Sequence, residues 1–351
     1  ILMKKYIVSF CAIIFLLGAC GTPEEKKTSD NSTAESQEVN LYTTRHYDAD
    51  KTVLAKFEEQ TGIKVNVIKA GADELINKIA LEGENTPADI FMTVDAAKLY
   101  RAKEKGILQP VTLSQTAAIA DQLKDKDNQW HPITYRARVI AYAKDKVNPA
   151  QLSTYEDLAD DKWKNKILIR SSSSGYNQSL LASIIEAKDE EAAKSWAAGV
   201  QQNMAREPQG GDRDQIKAMA SGVGEVAVVN TYYVGLLLNS SNPEERKAGE
   251  YVGLFFPNQD GRGTHINVSG AGITKYSKNK ENAIKLLEYL QSAEAQTLFV
   301  NNSYEFPVNT SIELNETLRS WGDFKIDALT FSRNTANQEK AVKIFDEVGW
   351  K

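Results

Sequence analysis

Sulfur and imidazole are scarce in this chain: two cysteines and three histidines among 351 residues. That excludes a disulfide framework and the usual zinc modules built from cysteine and histidine. Basic charge is not in excess either. Lys and Arg number 42 against 47 Asp and Glu, and a net charge of −5 provides no field to gather nucleic acid. After Cys20 there is no long apolar segment. Enzyme signatures are missing as well. No G-x-G-x-x-G opens the first helix, and G-x-x-x-x-G-K-[ST], G-x-S-x-G and H-E-x-x-H do not occur. His46, His131 and His265 have no close partner suggesting a two-histidine metal pair. What remains is ordinary globular material, 42% hydrophobic and 25% charged, long enough for about two domains and carrying 14 tyrosines.

At the amino terminus Lys4 and Lys5 precede an apolar run from Tyr6 to Leu17 that closes on Leu17, Gly18, Ala19 and Cys20. The charged start, short apolar core and small-residue exit read as a secretory signal peptide over residues 1–19. The closing tetrad resembles a bacterial lipobox, which implies lipid on the Cys20 thiol; the competing reading is a plain signal peptide with an incidental cysteine. Residues 20–38 are polar and have the composition of a flexible tether.

From Val39 onward short β runs alternate with amphipathic helical stretches, an α/β pattern. Strands are expected at 39–43, 64–69, 90–94, 138–142, 166–169, 225–229 and 270–274. Helices are expected at 49–61, 72–82, 96–105 and 279–292, among others. Tyr47 follows the first strand, Tyr176 ends the Ser-rich loop after Lys166–Ile169, and Tyr232 and Tyr233 follow Glu225–Val229. Ligands of open α/β sheets sit beyond the carboxyl ends of strands, so these tyrosines stand where a ligand is expected. Phenolate is a hard anionic donor suited to Fe(III). The same residues also read as half-buried aromatics hydrogen-bonded at a rim.

The segments LYTTRHYDAD, GADEL, PADIFMTVD, RARVIAY, SSSSGYNQS and GEVAVVNTYYVGLLL together resemble the ferric-iron-binding, substrate-binding proteins of bacterial ABC importers, especially their cyanobacterial-type branch, across Val39–Lys351. The resemblance implies a two-lobed α/β fold, the type 2 periplasmic-binding-protein fold, with a hinge of crossing strands. One lobe would comprise 39–137 and 262–313, the other 138–261 and 314–351. It implies Fe(III) held in the cleft by Tyr47, Tyr176, Tyr232 and Tyr233, with His46 matching a position that supplies imidazole in some members. Arg138, Arg136 and Arg45 are expected around the ligands to offset their charge. Ser173, Ser174 and Gly175, after Ser172, read either as an anion loop or as a Ser-rich helix cap. The expected protein is a monomeric, lipid-anchored, extracytoplasmic carrier that delivers iron to an ABC permease and is not an enzyme. A carrier of a polyamine or oxyanion, and a surface-anchored metal-dependent enzyme, are the competing readings.

Overall fold

The described residues of the computed structural model are 37–327 and 334–351. The signal segment, Cys20 and the tether through residue 36 lie outside them. Strands β1 (Glu38–Thr43), β2 (Lys64–Lys69), β3 (Ile90–Thr93), β4 (His131–Ala143), β5 (Ile167–Leu168), β6 (Val226–Asn230), β7 (Val252–Phe255), β8 (Ile266–Ile273) and β9 (Phe306–Pro307) pair into one curled sheet system. The helices are α1 (Asp48–Thr61), α2 (Ala72–Glu82), α3 (Ala96–Glu104), α4 (Gly175–Ala187), α5 (Glu190–Gln202), α6 (Asp212–Ala220), α7 (Thr231–Leu238), α8 (Pro243–Tyr251), α9 (Lys280–Leu290), α10 (Ala293–Asn302), α11 (Glu316–Ser320) and α12 (Asn334–Val348).

The strand order is β2-β1-β3-β8-β4-β6-β5, with β7 and β9 also pairing with β4. Side chains of a strand alternate between faces, and here both faces are covered. In β6 the all-buried run sends Val226 and Val228 into one core and Ala227 and Val229 into another. β1 and β3 do the same: Tyr42 and Phe91 enter one core, while Leu41, Ile90 and Met92 enter its neighbour.

The 13-residue β4 organises the whole. Residues His131–Ala137 pair antiparallel with β8, and Arg138–Tyr142 pair antiparallel with β6. One continuous strand therefore passes from one set of partners to another at Ala137 and Arg138. The sequence pattern marks only the second half of this strand, because Pro132, Thr134, Tyr135 and Arg136 interrupt the apolar run; pairing with β8 holds the first half in place. β8 likewise begins four residues before the expected 270, since its polar Asn267 and Ser269 are buried against β4. The expected helix over 279–292 is α9, Lys280–Leu290, and the next helix, α10, begins directly after it, capped by Ser292, whose side chain accepts from Ala295 N. The run 166–169 is a strand only at Ile167 and Leu168.

Candidate metal centre

All four tyrosines stand at helix starts. Tyr47 is the N-cap of α1, Tyr176 the second residue of α4, and Tyr232 and Tyr233 the second and third of α7. The three helices follow β1, β5 and β6, so their first turns gather beyond the carboxyl ends of those strands. Free N–H groups and the helix dipole make each such end favourable for negative charge, which a phenolate would bring.

The hydroxyls of Tyr47 and Tyr176 are 3.4 Å apart. The rings of Tyr47 and Tyr232 meet edge to face at 5.3 Å, and those of Tyr232 and Tyr233 lie 4.0 Å apart. Tyr47, Tyr176 and Tyr232 are buried and Tyr233 is half-buried. The Tyr232 hydroxyl has no partner in good hydrogen-bond geometry, and its nearest candidate is the hydroxyl of Tyr233 beside it. Loss of hydration pushes all three of Tyr47, Tyr232 and Tyr233 upward, Tyr233 to about 12. Repulsion among the would-be phenolates adds to the rise, while Arg136 beside Tyr47 and Tyr232 pulls the other way. Without a bound ion, Tyr47, Tyr232 and Tyr233 are therefore neutral phenols at neutral pH.

Four arginines surround the tyrosines. On β4, Arg136 and Arg138 share a face while Ala137, Val139 and Ala141 pack into the core on the other. Both arginines are fully buried, and their guanidinium groups lie 5.5 and 5.8 Å from the Tyr176 ring; that of Arg170 lies 5.7 Å from it. Arg45 stacks on Tyr47 at 4.4 Å. Arg45 is not a solvated surface residue. Its side chain is buried, pairs with Asp50 at 2.8 Å and Glu305 at 3.0 Å, and also reaches Thr134.

Arg138 donates to Asp212 at 2.6 Å, to Asn177 at 2.7 Å and to Asn230 at 3.2 Å. Arg136 donates to Ser269 at 2.7 Å and to the carbonyl of Val94, and lies 3.6 Å from Glu305. Burial alone would raise the Glu305 carboxyl, but Arg45, Arg136 and hydrogen bonds from Arg45 and Thr134 outweigh it and hold the group below the usual carboxylate range.

His46 lies beside Tyr47, ring centroids 4.7 Å apart, with an exposed edge. Despite that exposure, protein crowding around the ring lowers its pKa, and Arg45 and Arg136 add to the effect. The other histidines are core residues. Burial holds His131 down to about 4 against the pull of Asp125, and His265, bonded to Ser179 at 3.1 Å, down to about 3 with Arg262, Arg138 and Arg136 repelling its charged form.

In the Ser-rich loop, Ser173 Oγ is 2.6 Å from Ser171 Oγ, Ser174 precedes α4 with a buried, unpartnered hydroxyl, and a Cβ on Gly175 would meet open space. Ser172 is tied by its N–H to the Lys351 carbonyl. Ser174 does not cap the helix with its side chain. Among the described residues no group of three or more His, Cys, Asp or Glu could hold a metal ion. Asp212, Asp50, Glu305 and Arg170 were not singled out by sequence; nothing in their local pattern distinguishes them from surface charges.

Iron uptake protein A1 of Synechocystis sp. is 48% identical over 337 residues, 96% of this chain and 93% of that protein. A Trichodesmium protein solved in complex with iron and citrate is 49% identical, with TM-score 0.83 over 90% of this chain and 100% of that one. The ferric binding protein from Campylobacter jejuni is 47% identical, with TM-score 0.85 over 89% of this chain and 100% of its own. The architecture is thus the two-lobed type 2 binding-protein fold. Residues 85–329 match the family described as bacterial extracellular solute-binding protein. With β4 passing between two partner sets, and with these relatives along nearly its whole length, the chain belongs to the bacterial extracellular solute-binding protein family.

Proposed function

We propose that the protein captures ferric iron in the cleft through the phenolates of Tyr47, Tyr176, Tyr232 and Tyr233, with His46 as a further donor at the mouth, and delivers it to an ABC-type permease. The ion is transported cargo rather than a resident cofactor, and the protein is a binding protein, not an enzyme. The convergence of four phenols from α1, α4 and α7 carries the reading. The relatives named for ferric binding and iron uptake support it.

Charge supports a trivalent ion. Fe(III) with four phenolates carries one net negative charge, and the surrounding shell sets Arg45, Arg136, Arg138 and Arg170 against Asp50, Glu305 and Asp212, one positive charge in excess. A polyamine carrier would need free carboxylates, yet each of these three is engaged by an arginine. The lobes are 39–137 with 262–313 and 138–261 with 314–351, a division supported by the change of partners along β4. An ion touching Tyr47 and the α4 and α7 tyrosines at once would favour the closed arrangement. Ser173, Ser174 and Gly175 suit an accessory anion, because the Ser174 hydroxyl is buried without a partner at the start of α4.

Titration with a ferric chelate, followed by visible absorption and metal analysis, is the test. One equivalent of iron and a phenolate-to-iron band are expected, and a colourless protein overturns the reading. Running it with and without added citrate reports the anion, whose binding should move the band.

The chain is further proposed to be held at the outer face of a membrane, in the periplasm or its equivalent, by lipid on Cys20. Cys20→Ser should shift the protein from the membrane fraction to the soluble fraction. Equal membrane retention of that variant would remove the anchor.

A further inference from the structure

Glu305 is fully buried, belongs to no helix and stands far from the tyrosines in sequence, yet its carboxylate reaches two of the arginines that face them. Oε2 accepts from Arg45 at 3.0 Å and from the Ser303 hydroxyl at 3.0 Å; Oε1 accepts from Thr134 at 2.8 Å and from Arg45 at 3.4 Å, with Arg136 at 3.6 Å. Arg45 lies against the Tyr47 ring and Arg136 against the Tyr176 ring. The hydroxyls of those two tyrosines are the pair that approach each other at 3.4 Å. One carboxylate thus stands behind both phenols that meet across the cleft.

The segment that delivers it is itself constrained. Tyr304 adopts φ +55°, a left-handed backbone that a tyrosine occupies only when its surroundings demand it. Its side chain lies on Gly235 of α7, where an added Cβ would come within 2.5 Å of Tyr304 Cβ. Gly235 is one turn beyond Tyr232. Adjacent residues of one short segment therefore touch the helix carrying Tyr232 and Tyr233 and the arginines backing Tyr47 and Tyr176.

We propose that Glu305 is a positioning residue for the metal centre: it holds Arg45 and Arg136 in place and balances their charge, so setting how strongly the phenolates of Tyr47 and Tyr176 donate to the ion. This rests on the tyrosine reading above. With the carboxylate neutralised, the two guanidinium groups would draw more on the phenolates, making an electron harder to promote from ligand to iron. They would also leave a surplus positive charge beside a trivalent cation.

The test is Glu305→Gln in the full chain, loaded with ferric iron. The visible band should move to shorter wavelength and ferric affinity should fall by about 10- to 100-fold, as for other residues that orient metal ligands. Asp89→Asn is the control for general destabilisation. Asp89 is equally buried and accepts from Asn40, Ser277, Lys278 and Asn279, remote from the tyrosines, so its loss should lower thermal stability and leave the band in place. Should Glu305→Gln fail to fold, Glu305→Asp keeps the charge with a shorter reach, and an intermediate band shift is expected. An unmoved band and unchanged affinity in whichever variant folds overturns the assignment, as does a comparable shift in Asp89→Asn. A wild-type protein without a band removes the tyrosine reading and this role with it; a banded wild type with unmoved Glu305 variants removes this role alone.

Discussion

Changing Tyr232 and Tyr233 together to phenylalanine should abolish ferric binding and the visible band while leaving the fold as stable as before. The two halves of that result have separate causes. Binding fails because two anionic donors leave the site; altering residues that merely orient ligands already costs about 10- to 100-fold, so losing two ligands should exceed roughly 10³-fold. Stability survives because both hydroxyls leave together, so no buried polar group is left behind without a partner, while the rings keep their packing at 4.0 Å from each other. Isothermal titration with a ferric chelate, beside thermal unfolding of the empty protein, checks both halves. A carrier of a polyamine would keep much of its affinity in the double variant. Retained colour with iron would show that the cleft binds the ion without these phenols.

Ferric affinity should fall steeply as pH is lowered, and loading should release protons. Burial raises Tyr47 and Tyr232 well above the usual phenol range and Tyr233 to about 12, so in the empty protein these three are protonated throughout the neutral range. Each must lose its proton to become a ligand. The loaded state then binds fewer protons than the empty one, and lowering pH favours the empty state; these three protons alone lower the free-ion affinity ~10³-fold per pH unit. Burial makes the empty site costly to ionise, and the trivalent ion supplies what ionises it. Proton release measured in weakly buffered solution, and competition against a chelator across pH 5 to 8, report the same linkage. An affinity independent of pH, with no protons released, would mean that the phenols do not ligate. The same dependence gives an acidic compartment or a protonating partner a means of unloading the cleft.

Much of the fold was written in local pattern. The run Glu225–Val229 is apolar at every position but the first because β6 is covered on both faces, and the two tyrosines after it announce a polar edge at a strand end. Gly62, in the left-handed conformation with φ 70°, stops α1 where expected. The first half of β4 was not legible, since a buried strand carrying Thr134 and Arg136 has no apolar signature until β8 and Glu305 supply partners for those groups.

The sequence by itself determined the α/β class and that the four tyrosines follow strands, because periodicity, punctuation and residue chemistry are local properties. Only the tertiary structure decided that Tyr47 and Tyr176 meet and that Arg45 is a buried residue stacked on a ring. The same holds for its partner Glu305, 260 residues away in the chain. A charged side chain reads the same in sequence whether water or a carboxylate surrounds it. Its role depends on which distant segment replaces that water, and this is settled only when the strands cross and the cleft is built.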